Sequence, residues 1–257
     1  MIQRRRTLQA LAALSAGPVF TASSAPGPLR MQYFDTYEPM SFRDGTQMRG
    51  ILIDILEEVL GKRLGLKVEH QGFPWRRAQG NVESGLGDGM CTLVTPERLA
   101  YAQASGEAVM FNPSRLFVYA GSPLLKALSG ARTLDDVRKI NPRVISYLGS
   151  SWAKTNLAGF NVDDGPSDFA NAVKMLAAGR GDVMIEGLFT MQNAWKSLPN
   201  PDSLRVMSHD ILTATFYLLL SRKSPHVGVL PAFDKAMREF RKEAGYRQIF
   251  ERYGVRM

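Results

Sequence analysis

The segment GDGMCTLVTPERLAYAQAS, residues 87–105, determines the expected fold because it joins an apolar strand directly to a helix. Residues 90–94 form a short apolar run, typical of a strand that is buried on both faces. Thr95 is a preferred N-cap and Pro96 a preferred first helical residue, so a helix is predicted to begin there. Arg98 then lies in the first helical turn, where a cation opposes the helix dipole by roughly 0.3–1 kcal/mol. Either Arg98 makes a surface ion pair, or it binds an external carboxylate together with the helix N-terminus.

The preceding residues continue this pattern upstream. Alternating residues predict strands at 29–35 and 66–70, and apolar residues at helical spacing predict a helix that ends at Gly65. A second helix is predicted from Trp75 to Gly85. The segment YEPMSFRDGTQ, rich in turn residues, is predicted to be a loop. Strand and helix alternate, which predicts an α/β layer architecture.

A similar order returns downstream of residue 121. Thr133 is predicted to cap a helix, further helices and strands follow, and AAGRGDVM at 177–184 resembles ESGLGDGM at 83–90. This similarity predicts two lobes with related βαβ units. A last strand is predicted from residue 213, followed by two amphipathic helices that return to the first lobe.

Residues 1–25 have the features of an export signal: three arginines, a short apolar stretch and a small-residue ending at Ala25. Arg5 and Arg6 loosely match a twin-arginine signal. Removal of residues 1–25 takes away three arginines and no acids, so the formal charge falls from +8 to +5. The remaining charge is mild and dispersed, which does not favour a nucleic-acid partner.

The rest of the sequence offers no catalytic pattern. No other stretch holds 18 consecutive apolar residues, so the exported chain is not expected to span a membrane. Cys91 is the only cysteine, which excludes an internal disulfide and favours a core role for this residue. His70, His209 and His226 are far apart in sequence and form no zinc motif, and no nucleophile elbow or P-loop occurs. We therefore expect no catalytic residue, no metal and no cofactor.

Taken together, several short motifs resemble family 3 of the extracytoplasmic solute-binding proteins, the periplasmic amino-acid-binding type of ABC importers. The likeness covers essentially the whole exported chain, and the order and spacing of the motifs carry it. They are YEPMSF (37–42), GILIDILEEVLGKRLG (50–65), PW.R (74–77), G.GD (85–88), TPER (95–98), TLDDV (133–137), LGSSW (148–152) and AVKMLAAGRGDV (172–183).

The resemblance implies a type II periplasmic-binding-protein fold, in which two α/β lobes with mostly parallel sheets are joined by a two-stranded hinge. It places lobe 1 at 26–118 plus 214–257 and lobe 2 at 119–213. It also implies a periplasmic monomer that closes on a small carboxylate, an amino acid or a related compound, for an ABC permease. Two alternatives remain open: an enzyme similar to cyclohexadienyl dehydratases, and a sensor read by another membrane protein.

The resemblance also assigns roles to residues. Arg98 and Thr95 resemble the clamp for the ligand's α-carboxylate, and Ser150 and Ser151 resemble the second-lobe donors to the same group.

Tyr37 and Trp75 match positions where aromatic rings enclose the ligand's side chain.

An acid that pairs with the ligand's ammonium group is expected five residues after the Asp of GRGD, but that position is Gly187 and the acid, Glu186, precedes it. Because one step along a strand reverses the side chain's direction, Glu186 takes this role only if the strand bulges or ends early. The segment between G.GD and TPER is also shorter than usual in the family, which leaves recognition of an α-amine open.

Overall fold

The structure is a computed structural model that describes residues 27–148 and 150–255; the side chains of Ser151 and Asn193 also fall outside the description. The expected export signal, residues 1–25, lies outside the described residues. Within the described ranges, no helix has the length and apolar character needed to cross a membrane.

Strands and helices alternate along most of the chain. The strands of the described ranges are β1 (Leu29–Phe34), β2 (Thr36–Tyr37), β3 (Ser41–Asp44), β4 (Gln47–Arg49), β5 (Val68–Phe73), β6 (Gly89–Thr92), β7 (Ala102–Tyr119), β8 (Arg143–Ile145), β9 (Asn161–Asp163), β10 (Val183–Gly187) and β11 (Leu204–Ser221). The helices are α1 (Ile51–Leu56), α2 (Trp75–Ser84), α3 (Pro96–Tyr101), α4 (Leu125–Ser129), α5 (Leu134–Ile140), α6 (Ser151–Asn156), α7 (Phe169–Ala177), α8 (Leu188–Lys196), α9 (Leu230–Phe240) and α10 (Ala244–Arg252). A π-helical stretch, Glu57–Arg63, continues α1.

One sheet of eight strands runs through the molecule in the order β5-β1-β6-β11-β7-β10-β8-β9. At one end β5, β1 and β6 are parallel, and at the other end β10, β8 and β9 are parallel. Between them β7 and β11, each 18 residues long, pair with each other in antiparallel fashion. The fold is therefore a mixed α/β fold whose two halves share two long strands.

The strand predicted from residue 213 is longer than expected, because β11 begins at Leu204. Its first part contains the polar run Ser208-His209-Asp210, where the register with β7 shifts. Local hydrophobicity does not mark this part as a strand, since long-range pairing with β7 forms it.

The two similar sequence segments fold alike. Each follows a helix that ends at a glycine of positive φ, Gly85 at 88° and Gly179 at 71°. In the first, Asp88 accepts hydrogen bonds from the backbone N–H of Arg30 and from the hydroxyl of Ser224, both at 2.9 Å.

In the second, Asp182 accepts from the backbone N–H of Arg143 at 2.9 Å and from the hydroxyl of Ser122 at 2.6 Å. Ser122 follows the end of β7 as Ser224 follows the end of β11. Asp88 in one half and Asp182 in the other thus make equivalent contacts, each tying the residues after a long strand to a parallel strand of its own half.

The prediction of a loop over residues 37–47 is wrong. Here β2, β3 and β4 form a small antiparallel sheet, and β3 and β4 are joined by a turn in which Gly45 has a φ of 59°. The turn residues that predict a loop are therefore those of a tight hairpin.

The C-terminal helices pack against the half that contains β1. On α9, the Asp234 carboxylate accepts the backbone N–H groups of Gly106 at 3.0 Å and Glu107 at 2.9 Å, near the start of β7. Past the end of α10, the Tyr253 hydroxyl donates to Asp54 on α1 at 3.0 Å. These contacts attach both C-terminal helices to the half of the molecule that contains β1.

Candidate functional site

A cavity of about 630 Å³ lies where the two halves of the sheet meet. Phe34 and Tyr37 line it from one half, Tyr147 and Glu186 from the other, and Asn112 of β7 lies between them. Its size is within the usual range for small-molecule sites. Because both halves contribute to the lining, a change in their relative position changes the cavity directly.

The middle of the long strands forms the base of this cavity. Asn112 is 2% exposed, and its Oδ1 accepts the backbone N–H of Phe189 at 3.4 Å. A Cβ at Gly187 would lie 2.5 Å from the Asn112 amide nitrogen. Glycine at 187 is therefore required for the close approach of β10 to Asn112.

Tyr37, predicted to face the ligand, lines the cavity. Its ring stacks on Phe34 with centroids 6.1 Å apart. Burial, and then the nearby charge of Glu186, raise the pKa of the Tyr37 hydroxyl above its usual range. The hydroxyl stays protonated at neutral pH and can donate a hydrogen bond.

Glu186 also lines the cavity, and it lies at the inner end of β10. The strand pairs with β7 in unbroken register through Glu186 to Gly187, and α8 begins at Leu188, so the role of Glu186 toward an ammonium group stays a prediction. Glu186 lies deep among protein atoms, but its surface is partly open where it faces the cavity. Burial raises the pKa of its carboxyl group to about 7, although the backbone N–H of Gly187 opposes the shift.

Two further side chains, Tyr147 and Asp168, line the cavity from the same half of the sheet as Glu186. The ring of Tyr147 contacts the edge of Phe169 with centroids 5.8 Å apart, and burial followed by the charge of Glu186 raises the pKa of Tyr147. Asp168 caps α7 by accepting the backbone N–H of Asn171 at 2.8 Å, which lowers the pKa of its carboxyl group. Asp168 is thus ionised at neutral pH.

Thr95 and Arg98 form the predicted helix start but are not among the residues that line the cavity. The Arg98 backbone N–H donates to the Thr95 hydroxyl at 3.3 Å, which confirms the N-cap. The Arg98 guanidinium donates through Nη1 to the Leu93 carbonyl at 2.7 Å and through Nε to Gln79 Oε1 at 3.1 Å. Leu93 lines the cavity, so Arg98 lies directly next to a lining residue.

The Trp75 ring lies next to the Arg98 guanidinium. The Arg98 guanidinium carbon lies 5.4 Å from the centre of the Trp75 ring, and burial lowers the pKa of Arg98. Trp75 also packs against a small apolar cluster formed by Val82, Met90, Ala102 and Leu219. Its ring centroid lies 6.5 Å from that of Phe34, which lines the cavity, whereas Trp75 is not among the lining residues.

The two predicted serine donors are found at the start of α6. Ser150 is buried and accepts the backbone N–H of Ala153 at 3.2 Å, as an N-cap does. It lines a smaller neighbouring hollow of about 240 Å³ and not the central cavity. The Ser151 side chain and Gly149 lie outside the described residues. Their roles toward a ligand therefore stay predictions.

A larger hollow of about 770 Å³ lies beside α8 and the chain end. Two of its polar groups bind within the protein: Trp195 Nε1 donates to the Pro201 carbonyl at 2.7 Å, and Lys196 Nζ donates to the Gly254 carbonyl at 3.0 Å. The central cavity is the candidate site because both halves of the sheet line it and because aromatic and ionisable side chains lie together there.

Sequence reasoning missed several residues of the cavity, among them Asn112, Tyr147 and Phe169. A signal for Asn112 exists, since Asn112-Pro113-Ser114 lies between the apolar runs 108–111 and 116–119. No comparable signal marks Tyr147 and Phe169, which follow β8 and begin α7 and meet only through the fold. Within the described ranges, no group of three or more His, Cys, Asp or Glu residues is arranged to hold a metal ion.

The fold and the cavity define a protein of the two-lobed binding-protein class. The sequence profile of the bacterial extracellular solute-binding proteins, family 3, matches residues 29–256. The chain therefore belongs to this family, and the predicted family is confirmed. No curated protein sequence matches the chain.

Solved structures show the same fold at low sequence identity. An ancestral arginine-binding protein bound to arginine is 22% identical, with a TM-score of 0.63 and coverage of 88% of this chain and 98% of that one. The probable amino-acid ABC transporter extracellular-binding protein YtmK of Bacillus subtilis is 15% identical, with a TM-score of 0.70 and coverage of 89% and 98%. A histidine kinase sensor domain similar to periplasmic binding proteins is 16% identical, with a TM-score of 0.66 and coverage of 89% and 96%.

Proposed function

We propose that this chain captures a small amino-acid-like molecule in the central cavity and presents it, in a closed form, to an ABC importer in the membrane. The observation that carries the proposal is the cavity itself, which both halves of the sheet line at the middle of the two long strands. A ligand held there touches both halves at once. Such a ligand favours the closed arrangement by population shift.

Exposed apolar side chains at the cavity favour closure as the mode of capture. Leu93 lines the cavity from one half and is 40% exposed, and Leu148 lines it from the other half and is 69% exposed. Removal of such apolar surface from water lowers the free energy, so closure of the cavity over these side chains is favoured. The lobes proposed are residues 26–118 with 214–257, and residues 119–213, with β7 and β11 as the hinge between them.

The family and its structural relatives support the ligand class. Relatives of this fold include proteins described as arginine-binding and as arginine-, lysine- and histidine-binding, and one described as a cationic amino acid solute-binding protein. Their ligands carry at least one positive charge. The carboxylates of the cavity here, Glu186 above all, have the complementary charge.

The test is a thermal-shift screen of the purified protein with the twenty amino acids and their amine and keto-acid relatives, followed by calorimetry of each hit. A ligand at 100 times its dissociation constant stabilises the folded state by about 2.7 kcal/mol. For a protein of this size that raises Tm by about 5–10 °C. Small-angle scattering then reports closure as a smaller radius of gyration. If no compound of the screen raises Tm, the proposed function is wrong.

One observation favours a second candidate, an enzyme on the same fold. Glu186 is a carboxyl group that lines the cavity and has a pKa of about 7, suited to proton transfer at neutral pH. One relative of this fold is described as a precursor of cyclohexadienyl dehydratase. Incubation with prephenate and arogenate distinguishes the candidates, because an enzyme consumes one of them and a receptor consumes neither.

A further inference from the structure

Helix α8 lies between two cavities. Thr190 and Ala194 line the central cavity, whereas Gln192 and Lys196 line the hollow of about 770 Å³. An α-helix turns by about 100° per residue, so Thr190 and Ala194 lie on one face of α8 and Gln192 lies on the opposite face. The helix therefore separates the central cavity from a second space on its far side.

This second space, the far hollow, is also lined from both proposed lobes. Trp195 and Lys196 contribute to its lining from residues 119–213, and Glu251 and Gly254 contribute from the C-terminal part of the other lobe. A change in the relative position of the lobes therefore alters the far hollow as well as the central cavity.

The position of α8 in the chain and its contacts point to different lobes. The helix follows β10 directly, which places it in the lobe of residues 119–213. The Phe189 ring nevertheless contacts the edge of Phe250 on α10, with centroids 5.6 Å apart, and Lys196 Nζ donates to the Gly254 carbonyl at 3.0 Å. Phe189 is 1% exposed, whereas Lys196 is exposed beside the far hollow. The aromatic contact is suited to act as a pivot, and the hydrogen bond is the contact that breaks more easily.

The central cavity is open to water in this structure. Leu93 and Leu148 line it from opposite halves and are 40% and 69% exposed. Closure brings these two side chains together. Because α8 lies between the two spaces and packs on α10 through Phe189, a rotation that narrows the central cavity widens the far hollow. The Lys196 ammonium group then moves away from the Gly254 carbonyl.

We propose that the hydrogen bond from Lys196 to Gly254 is a latch that holds the two lobes apart while no ligand is bound. The proposal rests on the proposed function, since it concerns closure of the same lobes, and it names a group that controls how readily they close. Lys196 is not among the residues that line the central cavity, so it acts through the position of the lobes. A ligand that binds only the closed form has its apparent affinity reduced by the fraction of the protein that the latch keeps open.

The test measures the separation of the lobes in the protein without ligand. Spin labels are attached at Arg76→Cys on α2 and at Lys174→Cys on α7, two exposed positions on opposite sides of the cavity. Cys91 is buried, and the protein with Cys91 as its only cysteine is the labelling control. Pulsed electron paramagnetic resonance then gives the distribution of distances, in which the closed form has the shorter distance.

Lys196→Met removes the charged donor and keeps an unbranched apolar side chain of similar length. The net contribution of one hydrogen bond corresponds to a factor of about 3–10 in an equilibrium, so the ratio of closed to open protein should rise about 3- to 10-fold. Lys196→Ala should act in the same direction, and Lys196→Arg, which keeps a donor, should stay near the wild type. Lys235→Met, at an exposed lysine of α9, is the matched control and should leave the ratio unchanged. Circular dichroism checks that each variant is folded.

The outcomes separate the latch from the proposed function. If both Lys196→Met and Lys196→Ala keep the distance distribution of the wild type, or shift it to longer distances, the latch is wrong. The measurement uses no ligand, so it decides this point even if the thermal-shift screen is negative and the proposed function fails. If L-arginine raises Tm in the screen, its affinity for Lys196→Met should increase by the same factor as the closed fraction. An affinity that stays constant while the closed fraction rises would also overturn the proposal.

Discussion

Lowering the pH from 8 to 6 is expected to weaken the binding of an organic cation about tenfold, because Glu186 takes up a proton in this interval. The pKa of the free carboxyl group is about 7, raised by burial. A bound cation favours the carboxylate form and lowers that pKa. About nine-tenths of Glu186 is ionised at pH 8 and about one-tenth at pH 6, and the ratio of about ten corresponds to ~1.4 kcal/mol.

The neighbouring groups do not titrate in this interval. The pKa values of Tyr37 and Tyr147 are raised and both hydroxyls stay neutral, while the pKa of Asp168 is lowered and its carboxyl group stays ionised. Arg115, opposite Glu186 in the adjacent strand, is paired with Asp210 at 2.6 Å. The charge change between pH 6 and 8 is therefore assigned to Glu186.

The assay is isothermal titration calorimetry with agmatine, which stays cationic over the whole interval, at four pH values and in two buffers of different ionisation enthalpy. At pH 7 about half of the free protein carries a proton on Glu186, so binding should release about half a proton. Glu186→Gln should make the affinity independent of pH, and Glu38→Gln should preserve the dependence. An affinity of the wild-type protein that stays constant between pH 6 and 8, with no proton released, would refute the reasoning.

Three further predictions concern stability. Glu186→Gln should stabilise the unliganded protein at pH 8 by about 1–3 kcal/mol, because a raised carboxyl pKa destabilises the folded state at pH values above it; a lower Tm than that of the wild type would contradict this. Asp88→Asn should cost about 1–3 kcal/mol in urea unfolding, since it removes the charge of the buried carboxylate that accepts from half-exposed Arg30 at 2.9 Å; a change below 0.5 kcal/mol would show that this pair contributes little. Gly187→Ala should cost about 1–3 kcal/mol, because the new Cβ would lie 2.5 Å from the Asn112 amide; an unchanged Tm would show that Asn112 moves freely.

Local features of the fold could be predicted from the sequence because they depend on neighbouring residues. The Thr95 cap, the Thr133 capping box and the helix that ends before Gly85 are set within one or two turns, and all are present. The length of β11 could not be predicted, because the polar run Ser208-His209-Asp210 interrupts its local pattern and the segment is a strand through its pairing with the distant β7. A prediction from local pattern therefore succeeds for caps and fails for shared strands.

The candidate site likewise has features that the sequence predicts and features that it does not. Tyr37 and Glu186 line the cavity, where the resemblance to the family places them. The position of the Arg98 guanidinium depends instead on two hydrogen-bond partners that the sequence does not reveal: the carbonyl of Leu93 and the side chain of Gln79. The sequence therefore predicts which residues come near the cavity. The hydrogen bonds that their side chains make with the rest of the protein depend on the fold and cannot be predicted in the same way.

The position of the acid at 186 has a structural reason. A carboxylate at 187 would require a Cβ where the buried Asn112 amide lies, so β10 approaches β7 closely only with glycine there. The acid one residue earlier lines the cavity from the last position but one of β10. Burial there destabilises its ionised form. We expect a bound cation to stabilise that ionised form again, so that the same residue would set both the charge preference of the cavity and its dependence on pH.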